Sequence, residues 1–246
     1  MLTRSPDSHN RRLGVRFVDV TLRRGGGLLF DRLTLDLGEA RIGLIGDNGS
    51  GKSSFLRLIN GLLFADSGDV RVCGLETRKE RKALPGKAGF LFQNAEHQIL
   101  FPTVAEEICF GLCETGLSRE AATARMRSLL DAHDCLDWEY RPVQELSEGQ
   151  KQRLCLLSVI AMKPEILLLD EPFASLDYPT RRRMSVELLR MPQQIILASH
   201  DFDLLADFDR ILWLDHGKVV GDGRPGDILA RYKSRVTGQN EKVSAS

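Results

Sequence analysis

A glycine-rich segment that follows a short apolar run constrains this chain more than any other stretch. Residues 46–53 read Gly-Asp-Asn-Gly-Ser-Gly-Lys-Ser and fit the pattern G-x-x-x-x-G-K-[ST]. Residues 42–45 before it are typical of a buried strand, and the apolar positions within 55–59 are typical of one side of a helix. A glycine-rich turn before a helix can serve structure alone. The order strand, loop, helix is nevertheless what a phosphate-binding loop requires, so the segment predicts nucleotide binding.

The positions of this loop have separate chemical roles. Its glycines let successive N–H groups turn inward to form an anion site, at which the following helix aims its positive N-terminus. Lys52 supplies a cation for the outer phosphates, and the Ser53 hydroxyl is placed to bind Mg²⁺. The predicted nucleotide-binding residues of the loop are Gly46, Asp47, Asn48, Gly49, Ser50, Gly51, Lys52, Ser53 and Ser54.

Composition limits the remaining function classes. The chain has 246 residues, which suits one domain with an inserted subdomain, and its 34 Lys and Arg balance its 34 Asp and Glu. This balance gives no support to nucleic-acid binding. Five cysteines without a C-x-x-C pair argue against disulfides or zinc, and they fit a reducing cytosol. We see no signal peptide and no run of about 18 apolar residues, so any membrane role is expected to be peripheral.

The order of apolar patterns predicts an α/β fold. Alternating residues at 15–20 and 33–37 indicate an antiparallel β subdomain, and residues 93–156 have helical character. Continuous apolar runs at 88–92, 166–169 and 195–198 are typical of parallel strands covered on both faces.

Four of the predicted strands end on polar residues. The phosphate loop follows one, and Gln93, Asp170 with Glu171, and His200 follow the others. Because ligands bind at the carboxyl ends of strands in open α/β sheets, we expect these residues to surround one nucleotide. Alternatively, the Asp-Glu-Pro segment at 170–172 is a surface turn and His200 a core histidine.

This set of side chains suits hydrolysis of a terminal phosphate. Asp170 would hold Mg²⁺ opposite Ser53, and Glu171 would accept a proton from the attacking water or orient it. Gln93 would bind the metal or the water, and His200 would contact the γ-phosphate. The predicted catalytic residues are therefore Glu171, His200 and Gln93, and the predicted metal ligands are Ser53, Gln93 and Asp170.

A second helix start has a sequence suited to phosphate. Ser147 and Gln150 have the S-x-x-Q spacing of a capping box, which explains both residues without any function. It does not explain Gly149, because glycine is unfavourable in a first helical turn. We interpret the segment as a capped helix start that also lets a phosphate approach closely.

Together these residues make the chain resemble the ATP-binding subunit of an ABC transporter over about residues 13–230. The matching segments, in chain order, resemble Walker A (46–53), the Q-loop (Gln93), the LSGGQ signature (146–150), Walker B with its catalytic glutamate (166–171), the D-loop (174–177) and the switch histidine (His200). The resemblance implies a P-loop NTPase (RecA-like) core, ATP and Mg²⁺ as cofactors, and a nucleotide contact for Asp177.

The resemblance also implies a second ATPase subunit, either another copy or a related chain. In the family, the signature of one subunit closes on ATP held by the Walker A segment of another. The sequence departs from the pattern at Glu148, where the family usually has glycine, and we expect that side chain to point away from the nucleotide. Where the family often stacks an aromatic ring on adenine, this chain has Arg23 or Arg24; Arg24 either stacks on the base or is a surface arginine.

The segment 92–104 and the runs 169–180 and 211–217 resemble importers of the energy-coupling-factor type, most closely those for biotin or cobalt. This implies a transmembrane coupling protein, a substrate-binding membrane subunit and a peripheral location on the cytoplasmic face of the cell membrane. Residues 95–103 are predicted to contact the coupling protein, unless they only pack the helical subdomain. The alternatives are an exporter ATPase, a soluble ABC ATPase acting on nucleic acid or ribosomes, and a P-loop kinase.

The predicted domain layout is a single domain over residues 13–232. Its core comprises 13–92 and 157–232, and its helical subdomain comprises 93–156. Residues 1–12 and 233–246 are predicted to be flexible tails because they are polar.

Overall fold

The computed structural model describes residues 14–174 and 176–244. Strands and helices occur together in this length, as the apolar patterns predicted. The labelled elements are β1 (Val15–Arg24), β2 (Gly27–Leu37), β3 (Arg41–Ile45), α1 (Lys52–Ile59), β4 (Ser67–Val72), β5 (Leu75–Glu76), β6 (Ala88–Leu91), α2 (Val104–Glu114), α3 (Arg119–Ala132), α4 (Glu148–Ala161), β7 (Ile166–Asp170), α5 (Tyr178–Leu189), β8 (Gln194–Ala198), α6 (Phe202–Leu205), β9 (Arg210–Asp215), β10 (Lys218–Gly223) and α7 (Pro225–Ser244).

A six-stranded sheet forms the centre of the fold, in the order β10-β9-β3-β8-β7-β6. Neighbouring strands from β6 to β9 are parallel, and β10 closes the sheet as an antiparallel hairpin with β9. Every residue of β7 is buried, as expected for a parallel strand covered on both faces. This arrangement brings the carboxyl ends of β3, β6, β7 and β8 to the same edge.

A second, four-stranded antiparallel sheet has the order β2-β1-β4-β5. It packs on α1, where the rings of Phe17 and Phe55 stack with centroids 4.5 Å apart. Strands β1 and β2 are longer than the sequence predicted, because the pairing continues through irregular register at Val20 and Leu22. Irregular register breaks the alternation of apolar and polar residues, and this alternation is what identifies a strand in a sequence.

The predicted helical character of the middle segment is confirmed, with three helices that share an apolar core. Each begins at a residue whose hydroxyl accepts a backbone N–H: Thr103 before α2, Ser118 before α3 and Ser147 before α4. Their cluster includes Ile108, Met126 and other fully or nearly fully buried side chains.

Residues 233–244 of the predicted flexible tail belong to α7, which continues to Ser244, and residues 245–246 lie outside the described residues. The sequence is polar there, but one side of the helix packs on the core: Tyr232 is 6% exposed and Val236 lies against the same cluster. Arg235 also pairs with Asp215 of β9, with Nη1 and Oδ2 2.8 Å apart. The predicted tail at 1–12 lies outside the described residues. Within the described part of the chain, no helix combines the length and apolarity needed to cross a bilayer.

Candidate active site

The phosphate loop connects β3 to α1 and depends on glycine at two positions. Gly46 has a φ of 144°, and a Cβ there would lie 2.1 Å from the Leu214 carbonyl oxygen. Gly51, with a φ of 111°, occupies the position before the first residue of α1. Both φ values are in the region that favours glycine, so the loop can curl with its N–H groups facing inward.

Lys52 is buried and points back along the loop. Its Nζ donates to the carbonyl oxygens of Gly46, at 2.6 Å, and Asp47, at 3.2 Å. Burial lowers its pKa, while the nearby carboxylates of Glu171 and Asp170 act in the opposite direction. A cation held in this way is available to an incoming phosphate, whose oxygens would replace the carbonyl acceptors.

The predicted metal ligands lie together at the same edge. Ser53 Oγ donates to Asp170 Oδ1 at 3.1 Å, although the two residues are far apart in sequence. Gln93 lines the same cavity as both. A hydroxyl, a carboxylate and an amide oxygen are the ligand types that Mg²⁺ takes together with substrate phosphates, so these residues fit the ion.

Glu171 is held in a strained and partly desolvated position. Its φ is 50°, which a residue with a side chain rarely adopts. Burial raises its pKa to about 7, and Lys52 and the His200 backbone N–H reduce that effect. Its Oε1 lies 3.3 Å from His200 Nε2, but it is buried and has no hydrogen-bond partner among the described residues. A carboxyl with this pKa is suited to general-base chemistry near neutral pH.

His200 lies beside Glu171 at the end of β8 and has one side open. Its side chain is 47% exposed, and desolvation lowers its pKa, with the Lys52 charge acting in the same direction. The ring is therefore favoured in its neutral form, which has one donor and one acceptor nitrogen.

One cavity of about 560 Å³ brings most of the predicted residues together. It has the phosphate loop on one side and the strand ends on the other. Its lining comprises Arg24, Gly25, Leu29, Asn48, Gly49, Gly51, Lys52, Ser53, Ser54, Gln93, Asp170, Glu171, Ala174 and His200. The other predicted loop residues, Gly46, Asp47 and Ser50, do not line this cavity. They contribute to the conformation of the loop and do not border the cavity.

The signature segment is elsewhere. Among the described residues, the lining of that cavity includes none of Ser147, Gly149, Gln150 and Asp177. The predicted capping box is present: Ser147 Oγ accepts the Gln150 N–H at 3.3 Å, and Gln150 Oε1 accepts the Ser147 N–H at 2.9 Å. Within one chain, Ser147, Gly149 and Gln150 therefore do not border the cavity that Lys52 lines.

Two residues of the signature region have surroundings that the sequence did not reveal. A Cβ on Gly149 would lie 2.9 Å from Thr180 Cγ2 of α5, so close helix packing favours a glycine there independently of any ligand. Glu148 lines a second cavity together with Ser53, Gln93 and Asp170, the predicted metal ligands. The expectation that its side chain points away from the nucleotide therefore stays a prediction.

Asp177 and Arg24 have structural partners within the chain. Asp177 caps α5, with Oδ1 accepting the Thr180 N–H at 2.8 Å, and this hydrogen bond lowers its pKa. Arg24 is the last residue of β1, and its Nη1 donates to Ser54 Oγ at 3.2 Å. The nucleotide contacts predicted for both residues stay predictions.

Sequence reasoning missed Tyr232, whose hydroxyl donates to Asp47 Oδ1 at 2.9 Å. It lies on α7, which the sequence analysis did not identify as a helix. The available signal was the apolar spacing of Ile228, Leu229 and Tyr232, which is typical of one helical face.

Comparison with known proteins identifies the family of this chain. The family model described as ABC transporter matches residues 30–174 of the chain. That range contains the phosphate loop, the signature segment and Asp170 with Glu171.

Two relatives and one solved structure cover most of the chain. The biotin transport ATP-binding protein BioM of Rhodobacter capsulatus is 47% identical over 213 residues, 87% of this chain and 91% of the relative. The energy-coupling factor transporter ATP-binding protein EcfA1 of Latilactobacillus sakei is 37% identical over 79% of this chain and 71% of that protein. The structure of cbiO1 from Clostridium perfringens, part of the ABC transporter complex cbiONQ, superposes with a TM-score of 0.79 at 25% identity, covering 89% of this chain and 92% of cbiO1.

Proposed function

The chain belongs to the ABC transporter family as an ATP-hydrolysing subunit of the energy-coupling-factor type, and we propose that it powers a membrane importer of biotin. The observation that supports hydrolysis most directly is the meeting of Lys52, Glu171 and His200 in one cavity. The cargo proposal is based on the similarity to BioM; another vitamin or a transition-metal ion is the alternative.

During hydrolysis, different residues of the chain would bind the phosphates, hold the metal and accept the proton of the water. The loop N–H groups and Lys52 would bind the outer phosphates, and Ser53, Asp170 and Gln93 would hold Mg²⁺. The ion, when bound, neutralises charge on the phosphate oxygens. Glu171 would take the proton of the attacking water, and its pKa of about 7 keeps it available as a base at neutral pH. His200, 3.3 Å from Glu171, would donate to the γ-phosphate.

A second ATPase chain would complete the site. Ser147 is exposed, and the side-chain oxygens of Ser147 and Gln150 each accept the backbone N–H of the other residue. Because these residues do not line the Lys52 cavity, the signature segment of one chain would close on the nucleotide held by another. The second chain is either another copy of this one or a related subunit.

The membrane partner would bind beside the Q-loop segment. Leu100 is 72% exposed, and a groove of about 460 Å³ next to it is lined by Ile99, Phe101 and Pro102 among others. The same segment is tied to α4, because Gln152 Nε2 donates to the Phe92 carbonyl at 3.1 Å. A displacement of the groove by the membrane partner would therefore move both Gln93 and α4, the helix that begins at the signature segment. In this arrangement the chain lies at the cytoplasmic face of the membrane as a peripheral subunit.

The packing alternative for residues 95–103 accounts for only part of the segment. Ala95 is fully buried and Ile99 packs on the helical cluster, whereas Leu100 is open to solvent. We propose that Leu100 contacts the coupling protein and that Ala95 holds the segment in place.

The function is tested by expressing the chain with its neighbouring membrane proteins and measuring uptake of labelled biotin into proteoliposomes. We expect ATP-dependent uptake, co-purification with the membrane subunits in detergent, and loss of both with Leu100→Asp but not with Leu136→Asp, an exposed leucine away from the groove. Uptake of cobalt but not of biotin would identify a transition-metal ion as the cargo. Outward transport would favour the exporter alternative. A chain that stays alone in detergent and binds DNA or ribosomes would overturn the importer proposal.

Arg24 is proposed to stack on adenine. It lines the nucleotide cavity with Gly25 and Leu29, and a guanidinium can lie flat on a base. We expect Arg24→Ala to raise the Kd for ATP about two- to fivefold, because an exposed cation–π contact contributes about 0.5–1 kcal/mol. ATP and GTP titrations of both proteins check this. A strong preference for ATP over GTP that survives the substitution would contradict it.

A further inference from the structure

The C-terminal helix contacts the phosphate loop through one hydrogen bond. Tyr232 of α7 is 6% exposed, and its hydroxyl donates to Asp47 Oδ1 at 2.9 Å. Asp47 follows the first glycine of the loop, and its carbonyl oxygen accepts a hydrogen bond from Lys52 Nζ. Asp47 therefore links Tyr232 of α7 to Lys52, because its carboxylate accepts from Tyr232 and its carbonyl oxygen accepts from Lys52.

Tyr232 is fixed by aromatic packing on the central sheet. Its ring lies edge-on to Trp213 of β9, with centroids 5.2 Å apart at 88°, and edge-on to Phe202, at 5.8 Å and 75°. Trp213 is in turn paired with Ile45, the last residue of β3 before the loop. The hydroxyl is consequently held at a defined position relative to the loop, at low cost in side-chain entropy.

The charge of Asp47 explains why such a contact matters. A carboxylate in a loop that receives a triphosphate repels the ligand if it turns inward. Within the described lining of the nucleotide cavity, Asn48 and Gly49 are present but Asp47 is not. Its carboxylate points toward α7, where Tyr232 donates to it and Arg235 supplies a nearby positive charge. Burial and Asp47 raise the pKa of Tyr232 to about 12, so the hydroxyl keeps its proton at physiological pH.

We propose that Tyr232 is a positioning residue for ATP binding, whose hydroxyl holds the Asp47 carboxylate outside the phosphate cavity and so fixes the loop that presents Lys52. The inference rests on ATP binding at this loop and does not depend on the cargo or on the membrane partner. It gives α7 a role in nucleotide affinity in addition to its packing on β9.

The first test replaces Tyr232 by Phe, which keeps the ring and removes the hydroxyl. We expect the Kd for MgATP, measured calorimetrically on the full chain, and the KM for ATP to rise about tenfold, the order expected for one hydrogen bond to a charged group. The kcat should change less than twofold, because the groups around the γ-phosphate are untouched. Tyr140→Phe is the matched control: it removes a tyrosine hydroxyl that accepts from Arg127 Nη2 at 2.9 Å, and it should leave Kd and KM unchanged.

A double-mutant cycle separates positioning from packing. Asp47→Ala removes the acceptor, so Tyr232→Phe should have almost no further effect on Kd in that background. If the two substitutions act additively, or if Tyr232→Phe alone leaves Kd unchanged while the wild-type chain binds ATP, the proposal is overturned. A wild-type chain that fails to bind MgATP would instead contradict the assigned function, so the two failures are distinguishable. Melting temperatures of all variants identify any that are unfolded.

Discussion

The phosphate loop before α1 and the signature segment before α4 both present a helix N-terminus, but their surroundings differ. The loop is backed by the central sheet, its lysine is buried, and the acidic side chains at the end of β7 face it. The signature segment is exposed at Ser147, and its capping box satisfies its polar groups locally. One helix start thus lines the cavity that holds Lys52, whereas Ser147, Gly149 and Gln150 of the other lie outside the lining of that cavity in the described chain.

This difference indicates which region determines nucleotide affinity and which also determines the rate of hydrolysis. A preformed cation and loop can bind nucleotide in a single chain, whereas a self-capped, exposed helix start gains a phosphate contact only when something else brings the phosphate to it. Affinity should therefore depend on the first region and turnover on both. Substitutions in either region, and a change of pH, should therefore affect binding and turnover differently.

Lys52→Ala should abolish nucleotide binding by the chain. Loss of the cation removes about two charge-assisted hydrogen bonds of about 1.5–3 kcal/mol each, which raises the Kd for MgATP roughly 10²–10⁴-fold. Calorimetric titration measures the Kd, and hydrolysis should fall in parallel. Lys79→Ala, which removes an exposed lysine paired with Glu76, is the control and should bind normally. Unchanged affinity in Lys52→Ala would mean that nucleotide binds elsewhere.

Glu171→Gln should separate binding from hydrolysis within the same cavity. A correctly positioned general base contributes roughly 10²–10⁴-fold to the rate, so kcat should fall by that factor while the Kd for MgATP is retained. Steady-state ATPase assays and titrations on one preparation give both numbers. Hydrolysis at the normal rate would show that another group activates the water.

Acidification should lower kcat/KM because the base becomes protonated. Glu171 has a pKa raised to about 7, so below that pH the carboxyl holds its proton and cannot accept another. We expect kcat/KM to fall about tenfold per pH unit below about 7, the slope of a single protonation. This fall of kcat/KM below about pH 7 should be absent from the residual activity of Glu171→Gln. Its persistence there would assign the pH dependence to a different group or to ATP itself.

Ser147→Ala should have the smallest effect and affect only turnover. The variant loses the cap of α4, at about 1 kcal/mol of stability, and one phosphate contact, at about 0.5–1.5 kcal/mol. Hydrolysis should slow about two- to tenfold while the Kd of the isolated chain stays the same. Ser118→Ala removes the equivalent cap of α3 and is the matched control, with a similar loss in melting temperature and no loss of hydrolysis. Equal slowing in both would reduce the role of Ser147 to capping.

The sequence predicted the preformed region well because each of its parts has a local signal. Apolar runs marked β3, β6, β7 and β8; the phosphate loop followed the first run, and a polar residue followed each of the other three. Parallel strands bring such residues to one edge, so Gln93, Asp170 and His200 could be grouped before any distance was known. The capping box at Ser147 was equally visible, because it spans only one helical turn.

What the sequence could not predict depends on contacts between distant segments. The polar composition after residue 232 suggested a flexible tail, although one face of α7 packs on β9. The approach of Thr180 to Gly149 and the hydrogen bond from Arg24 to Ser54 follow from helix and strand placement. The same is true of Tyr232 and Asp47, which no local pattern links.

We propose that two ATPase chains share each nucleotide, one supplying Lys52 and the other the signature segment. The most direct test is a structure of the assembled transporter with Glu171→Gln and MgATP. We expect each triphosphate to lie between Lys52 of one ATPase chain and the signature helix start of a second, with His200 and residue 171 beside the γ-phosphate. A nucleotide held by Lys52 and Ser147 of one and the same chain, or one remote from His200, would contradict the account.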